Sequence, residues 1–262
     1  MSVDFAAYSG LSNTGHNMTV NEDYIYFNDM DFDGEAMFMA IADGSGSKNT
    51  MFGPASIAVH QVEKTLTRFY KKDKDLFFHK TKLLMEESFY AANDTLIGFK
   101  LGNEEERYGY ATTLTCAVLM RDGTLYFAHA GNTRIYIIKN GEAIQITKDH
   151  TEAQKLVDAN ELSPEGYYRA MERLSLYSGM GITPNPVIQT GRIRLKQNDV
   201  VIMTTDGVHY SMKDVSFFPI LMDTETMDDA AERIIQDSLS FNNYSDNLSV
   251  NVVWYLGIPE GE

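Results

Sequence analysis

The stretch Ala36-Met-Phe-Met-Ala-Ile-Ala-Asp43-Gly44 is almost continuously apolar and ends in an Asp-Gly pair. An unbroken apolar run of this length, closed by turn residues, is typical of a strand that is buried on both faces. We therefore predict a central strand over 36–42 with a carboxylate at its end. At any single site, an aspartate in this position is more often a turn former than a ligand.

Strands and helices are predicted on both sides of this central strand. Residues 3–9 and 23–28, which precede it, also have the pattern of strands. After it, Pro54 is well placed in the first turn of a helix, and an apolar stripe follows at helical spacing. A second helix is predicted over about 75–100, where apolar and small residues again recur at steps of three and four.

The period of the pattern changes after the second helix. From Thr112 to Leu119 two sets of side chains alternate, as they do in a strand. Asp122-Gly123 and Asn140-Gly141 follow apolar runs, and both dipeptides tolerate the positive φ that tight hairpins require. We therefore predict a four-stranded antiparallel meander over 111–147.

Residues 148–185 are polar and irregular, with one short helix predicted where Ser163-Pro164-Glu165 forms a capping signal. A segment of this length inside one domain is typically functional, so we interpret it as a flap that sorts substrates. Regular elements return beyond it: strands over 187–194 and 199–205, helices near 212–221 and 226–239, and a closing strand that alternates from Leu248 to Trp254.

These elements predict an α+β fold with two antiparallel sheets face to face and helices on the outer faces. The order of strands within each sheet is left open. No stretch has the composition of a linker and no repeat is present, so we expect a single domain over 1–262 that acts as a monomer.

The composition excludes several classes of partner. With 22 basic and 37 acidic side chains, the formal charge is −15, which disfavours binding to nucleic acid or to an anionic membrane. Cys116 is the sole cysteine and lies in a strand-like run, where a small buried side chain is expected. The N-terminus lacks a signal peptide and no apolar run could span a bilayer, so we expect a cytoplasmic protein.

Acidic residues recur at the ends of apolar strands. Asp43-Gly44, Asp206-Gly207 and Asp246-Asn247 each adjoin such a strand, and Asn21-Glu22-Asp23 precedes another. If these strands are neighbours, the carboxylates converge, raise one another's pKa and favour a hard divalent cation such as Mn²⁺ or Mg²⁺. Two such ions, about 4 Å apart, can lower the pKa of a bridging water and promote phosphoryl transfer to it.

The same residues resemble the type 2C metal-dependent serine/threonine protein phosphatases, in particular bacterial members. The matching motifs come in the order and with the spacing of the family across nearly the whole chain. They are Gly15, Asn21-Glu22-Asp23, Ala42-Asp43-Gly44-Ser-Gly46, Ala111-Thr-Thr113-Leu, Ala130-Gly131-Asn132-Thr133-Arg134, Asp149-His150, Thr205-Asp206-Gly207 and Asp246-Asn247.

The resemblance implies a four-layer α-β-β-α sandwich that hydrolyses phosphoserine and phosphothreonine on proteins. It implies two Mn²⁺ or Mg²⁺ ions, a bridging water as nucleophile and no covalent intermediate. Catalysis would depend on Asp43, which bridges both ions, and on Asp206 and Asp246, which hold one of them. The Gly44 carbonyl would bind an ion, Glu22 and Asp23 would bind the ions or their waters, and Asn247 would support Asp246.

The chain departs from the family pattern where a substrate-binding Arg is usual, four residues before Glu22. Met18 occupies that place, and His16, Lys48 or Arg107 could substitute for the missing guanidinium. Asn132 stands where the family has an aspartate that helps to hold a third metal, so a third ion should bind weakly or not at all.

Two other positions bear on proton transfer and on the alternative function. Ser45 and Ser47 differ from the residues usual after the metal-binding Asp-Gly, and His209 is the best candidate for a proton donor, although nothing in the sequence fixes its direction. The alternative is a catalytically weak or inactive relative that binds phosphoproteins or a partner. Met18 and Asn132 favour it, whereas Asp43, Asp206 and Asp246 favour the enzyme.

Overall fold

Two antiparallel sheets form the centre of the computed structural model, which describes residues 1–46, 53–102, 109–212, 216–241 and 246–258. In spatial order, the first sheet contains β1 (Ser2–Val3), β2 (Ala6–Asn13), β12 (Leu248–Tyr255), β11 (Val200–Thr204), β8 (Arg134–Lys139) and β9 (Glu142–Gln145). The second contains β10 (Gln189–Arg194), β7 (Thr124–Ala130), β6 (Leu114–Met120), β4 (Ala36–Ser45) and β3 (Asp23–Asn28), with β5 (Ala111–Thr112) paired to the end of β4.

Helices cover the outer face of each sheet. On the second sheet these are α1 (Pro54–Lys72) and α2 (Lys74–Gly102), and on the first they are α6 (Phe217–Asp223) and α7 (Met227–Ser240). Three apolar layers separate the four layers of secondary structure, one between the sheets and one under each helix pair. The predicted four-layer α-β-β-α sandwich is therefore confirmed.

Strand β4 shows how the sequence produces this arrangement. Because side chains alternate along a strand, Phe38 and Ala40 point to the helices, whereas Met39 and Ile41 point to the opposite sheet. Both faces of β4 are buried, as the unbroken apolar run predicts. The strand continues to Ser45, so that Asp43 and Gly44 belong to its last residues.

The predicted four-stranded meander over 111–147 is wrong. It consists of two hairpins in different sheets, β6–β7 in the second sheet and β8–β9 in the first. Both predicted turns are correct, with Gly123 at a φ of +88°, and Asn140 and Gly141 at +52° and +86°. The alternation of side chains cannot reveal the change of sheet, because a hairpin that buries apolar residues shows the same pattern in either sheet.

Several element boundaries also differ from the predictions. The first predicted strand, 3–9, is the pair β1 and β2, and the helix predicted near 212–221 is α6, which begins at Phe217. The flap contains α3 (Glu152–Asp158), α4 (Pro164–Tyr167) and a 3₁₀ turn over Met171–Leu174, where one helix is predicted. The predicted cap is present, since the Ser163 side chain accepts a hydrogen bond from the Gly166 N–H. No helix in the described part of the chain combines the length and hydrophobicity needed to cross a bilayer.

Candidate active site

A cavity of about 280 Å³ opens at one edge of the sandwich, where β4 of one sheet and β11 of the other both end. Asp43 reaches it from β4, Asp206 from the start of a short helix, α5 (Asp206–His209), and Asp246 from just before β12. The structure thus brings together three carboxylates that are far apart in the sequence. The remaining lining residues are Ser45, Ala111, Thr112, Thr113, Asn132, Leu174, Leu176 and Ile182.

Two threonines of the neighbouring strand segment hold the main chain of Asp43. Its N–H donates to Thr113 Oγ1 at 2.9 Å, and its carbonyl accepts from the Thr113 N–H and from Thr112 Oγ1, both at 2.9 Å. Residues 111–114 therefore position the strand end that carries Asp43. In the sequence they are only part of a motif, because nothing in their spacing indicates which backbone they contact.

The glycines that follow the aspartates allow two close backbone approaches. A Cβ at Gly44 would lie 2.7 Å from the Glu22 carbonyl oxygen, and one at Gly207 would lie 2.0 Å from that of Asn247. Any side chain at either position would push these segments apart. The Asp-Gly pairs thus bring the segments around Glu22 and Asn247 against the two strand ends.

Burial and mutual repulsion disfavour the ionised forms of the three cavity carboxylates. Burial raises the pKa of Asp43 well above its usual range, and the charges of Asp206, Asp23, Asp246 and Glu22 raise it further. Burial and Asp246 raise the pKa of Asp206 to about 7, against a lowering contribution from Asn132. Burial also raises the pKa of Asp246. A bound cation would offset this effect by favouring the charged forms.

Asp206 and Asn132 form a polar pair with unused acceptor atoms. The Asn132 side-chain amide donates from Nδ2 to Asp206 Oδ2 at 3.0 Å. Asp206 Oδ1 and Asn132 Oδ1 are buried and have no hydrogen-bond partner among the described residues. Buried oxygens without donors are costly unless a ligand or water satisfies them, so this pair fits a site for a hard cation.

The described cavity carboxylates do not converge on one common point. No group of three or more His, Cys, Asp or Glu side chains within the described ranges is arranged to hold one metal ion as it stands. Carboxylate oxygens are nevertheless the ligands that hard divalent cations prefer. Their chemistry fits divalent cations, and binding would require them to turn towards the ions.

Glu22 and Asp23 lie next to the cavity rather than in its lining. Asp23 is 3% exposed, and its Oδ2 accepts from Ser249 Oγ at 2.7 Å and Thr205 Oγ1 at 2.9 Å. Burial outweighs these hydrogen bonds and raises the pKa of Asp23 to about 8. Asp23 begins β3 of the second sheet, Ser249 lies in β12 of the first sheet, and Thr205 directly follows β11 of the first sheet. Asp23 therefore joins the two sheets behind the cavity.

Asn247 makes the supporting contacts that its position in the motif implies. Its N–H donates to Asp246 Oδ1 at 2.8 Å, while its side-chain oxygen accepts from the Glu22 N–H at 2.8 Å. Its amide group also donates to the carbonyls of Thr14 and Val20. Asn247 thus holds Asp246 and the segment that carries Glu22 in one arrangement.

Comparison with known proteins identifies the family. A family model described as protein phosphatase 2C matches residues 13–241. The chain belongs to the protein phosphatase 2C family. It is 26% identical to the serine/threonine protein phosphatase PstP of Mycobacterium tuberculosis over 260 residues, which is 97% of this chain but only 46% of that protein. It is 23% identical to a putative protein phosphatase 2C-type protein of Streptococcus pyogenes, covering 91% of this chain and 93% of that one.

Solved structures show the same phosphatase 2C fold. The serine/threonine phosphatase of S. agalactiae superimposes with a TM-score of 0.82 at 23% identity, over 96% of this chain and all of that one (100%). The catalytic domain of PstP, in a structure described as a complex with two manganese ions, gives a TM-score of 0.74 at 23% identity over 96% of this chain and 99% of that chain. The chain is thus a member of a family of serine/threonine protein phosphatases, and it spans about half the length of PstP.

Of the three candidates to replace the missing arginine, only His16 lies within the described residues, and it does not line the cavity. Met18 and His16 are exposed and are not lining residues. Lys48 and Arg107, together with Ser47, lie outside the described residues. Among the described residues that line the cavity there is no Lys, Arg or His. Ser45 does line it, with its hydroxyl donating to the Gly109 carbonyl at 2.7 Å.

His209, the candidate for a proton donor, is buried away from the cavity. Its ring is 1% exposed, Nδ1 lies 2.9 Å from Thr204 Oγ1, and the residue is absent from the cavity lining. Burial, with a smaller contribution from the charge of Arg134, lowers the pKa of His209 well below its usual range. A neutral, buried imidazole cannot deliver a proton to the cavity.

A buried ion pair ties the flap to strand β8 of the first sheet. Arg134, 3% exposed, donates from Nε to Asp149 Oδ1 at 2.9 Å and from Nη2 to Oδ2 at 2.8 Å. The rings of Tyr167, Tyr168 and Tyr210 lie 5.7–5.8 Å from its guanidinium carbon, and the Tyr167 hydroxyl donates to Asp149. The sequence marks Arg134 and Asp149 through their motifs but carries no signal for the tyrosines.

Proposed function

We propose that this chain hydrolyses phosphoserine and phosphothreonine esters on proteins, using two divalent cations, Mn²⁺ or Mg²⁺. The observation that carries the proposal is the convergence of Asp43, Asp206 and Asp246 in one cavity with raised pKa values. Family membership supports the phosphatase class, and the two manganese ions described for PstP support the choice of cofactor.

The proposed ligands are the residues that the family resemblance implies. Asp43, the Gly44 carbonyl, Asp206 and Asp246 would hold the ions. Glu22 and Asp23 lie close enough to influence the Asp43 charge and would bind an ion or its waters. When bound, the ions would lower the pKa of a water and neutralise charge on the phosphoryl group.

The lining residues of this chain favour attack by water. No Cys or His is among the described lining residues. The hydroxyls of Thr112 and Thr113 are engaged with the Asp43 main chain, and that of Ser45 donates to the Gly109 carbonyl. A side-chain nucleophile would need a base within hydrogen-bond reach, which these hydroxyls do not have. The residues therefore hold the ions and orient the substrate.

Asn132 limits the proposal to two ions. Its amide nitrogen is directed at Asp206, so it steadies that carboxylate and offers only a neutral oxygen as a ligand. Such an oxygen gains less from a cation than a carboxylate does. Asn132 is thus proposed as a residue that orients Asp206.

The test compares turnover with and without metal. Purified protein is incubated with an aryl phosphate and a phosphothreonine peptide in Mn²⁺, in Mg²⁺ and in chelator. We expect turnover only with metal, and its loss in Asp206→Asn. Asp237→Asn, in α7 and absent from the cavity lining, is the matched control and should retain activity. Turnover that persists in chelator, or no turnover with either metal, would overturn the proposal.

A further inference from the structure

The flap contributes an apolar wall to the acidic cavity. Leu174, Leu176 and Ile182, here named the flap wall, line the same space as Asp43, Asp206 and Asp246. Leu174 and Ile182 are each 40% exposed, so apolar surface faces solvent beside the carboxylates. Covering such surface with an apolar group is favourable at about 25 cal/mol per Å².

Main-chain hydrogen bonds to neighbouring elements hold the flap wall in place. Thr112 and Met180 exchange main-chain hydrogen bonds of 3.0 and 2.8 Å, and Leu176 forms a strand-like bridge to Thr151. Next to Ile182, the Gly181 N–H donates to Asn93 Oδ1 and its carbonyl accepts from Lys100 Nζ, both at 2.8 Å. The wall is therefore preorganised, which lowers the entropic cost of binding a ligand.

Charge distinguishes the ligands that this surface can accept. The described lining contains three carboxylates and no basic side chain, in a chain with a formal charge of −15. An acidic residue beside the phosphorylated one would find no basic partner among these described lining residues. An aliphatic residue would bury its side chain against the wall without losing a hydrogen bond.

We propose that the flap wall makes this chain select phosphopeptides with aliphatic residues next to the phosphoserine or phosphothreonine and reject those with acidic neighbours. This inference rests on the proposed function, because it assumes that the phosphoryl group occupies the carboxylate end of the cavity. It assigns Leu174, Leu176 and Ile182 as residues that determine specificity.

The first experiment compares three phosphothreonine peptides with Mn²⁺, in which both neighbours of the phosphothreonine are Leu, Gly or Asp. We expect kcat/KM for the Leu peptide to be about fivefold higher than that for the Gly peptide, because partial burial of one or two leucine side chains contributes a free energy of that size. The Asp peptide should be the poorest substrate. Equal values for the three peptides would overturn the inference, and an aryl phosphate would show separately whether the proposed function holds.

The second experiment removes apolar surface from the flap wall. Ile182→Thr and Leu174→Ala should each bring the Leu-to-Gly ratio towards one, and circular dichroism would show that both variants fold. Val187→Thr is the matched control, because Val187 is also exposed (51%) and lies just beyond the flap but does not line the cavity. A ratio unchanged in both wall variants, or lowered equally in the control, would overturn the inference.

A binding measurement keeps the inference testable if no peptide is hydrolysed. Fluorescence anisotropy with labelled versions of the same peptides should show tighter binding of the Leu peptide, again about fivefold. If no substrate is turned over, the proposed function fails, and equal affinity for the three peptides would then overturn the flap-wall inference as well.

Discussion

At the residue scale, the pair Asn132 and Asp206 sets the electrostatics of the cavity. A neutral amide donates to a buried carboxylate whose pKa burial and Asp246 already raise to about 7. A second carboxylate at residue 132 would lose this hydrogen bond and add a like charge instead. The side chain at 132 therefore decides how strongly the cavity depends on bound cations.

We expect Asn132→Asp to destabilise the protein in chelator and to increase its stabilisation by Mn²⁺. The added carboxylate should cost about 1–3 kcal/mol without metal, because like charges would face each other in a buried site. Thermal unfolding at about pH 8, with chelator and with Mn²⁺, measures both effects. Asn185→Asp, in an exposed position, is the control and should change neither value. An unchanged melting temperature in chelator would contradict the expectation.

At the scale of elements, two features connect the flap and the sheets to the site. The ion pair between Arg134 of β8 and Asp149 is enclosed by tyrosines from the flap and from the end of α5. The crossing between β7 and β8 passes through Gly131, whose φ is +120°. A Cβ there would lie 2.5 Å from Thr113 Cβ, and Thr113 holds Asp43.

Arg134→Met should lower the free energy of unfolding by about 3–5 kcal/mol, because it leaves the Asp149 carboxylate buried without its cation. Arg194→Met removes an exposed pair with Asp122, with side chains 58% and 52% exposed, and should cost less than about 1 kcal/mol. Urea unfolding of both variants in chelator measures the difference. Similar losses in the two variants would show that the buried pair has no special role.

Gly131→Ala should destabilise the protein by about 2–3 kcal/mol and lower Mn²⁺-dependent turnover, because the new Cβ displaces Thr113. Gly34→Ala separates the two causes, since Gly34 also has positive φ, +74°, but no atom within 4 Å of an added Cβ. It should cost about 1 kcal/mol from backbone strain alone and leave turnover unchanged. Full activity in Gly131→Ala would exclude the proposed link between the crossing and Asp43.

At the scale of the whole molecule, the sandwich concentrates acidic groups at one edge. Strands β3 and β4 supply Asp23 and Asp43, while the ends of β11 and β12 in the other sheet adjoin Asp206 and Asp246. Burial is the largest cause of the raised pKa at all four carboxylates. Folding without cations therefore opposes ionisation of these groups, and the stability of the protein depends on pH.

In chelator, the melting temperature should fall as the pH rises from about 7 to about 9. The pKa of Asp206 is about 7 and that of Asp23 about 8, both above the unfolded value of 3.8. Groups with a raised pKa contribute stability at low pH and lose it as the pH passes through their folded-state pKa. Above pH 7, His129 and His150, whose pKa values burial lowers, are largely neutral in both states and add no slope.

Two controls make this pH dependence specific. Asp206→Asn should reduce the slope, because one of the titrating groups is removed. Saturating Mn²⁺ should abolish or reverse it, because metal binding requires ionised carboxylates. A melting temperature in chelator that rises between these pH values would contradict the assignment of raised pKa values to the site.

The candidate site was only partly visible in the sequence. The strand-end acids, including Asp43, Asp206 and Asp246, are recognisable because Asp-Gly or Asp-Asn next to an apolar strand is a local pattern. The position of His209 was not recognisable in the sequence, because the direction of a side chain after a strand depends on which layer packs against it. The roles of these acids as metal ligands remain predictions that the proposed experiments address.

By itself, the sequence determined the elements and their class. The unbroken apolar run of β4, the Asn140-Gly141 turn and Pro54 at the start of α1 depend on neighbouring residues, and all three elements are where the sequence predicts them. Only the tertiary structure decided that β6–β7 and β8–β9 belong to different sheets and that three tyrosines surround Arg134. Those features arise from burial against partners distant in the chain, which local periodicity does not encode.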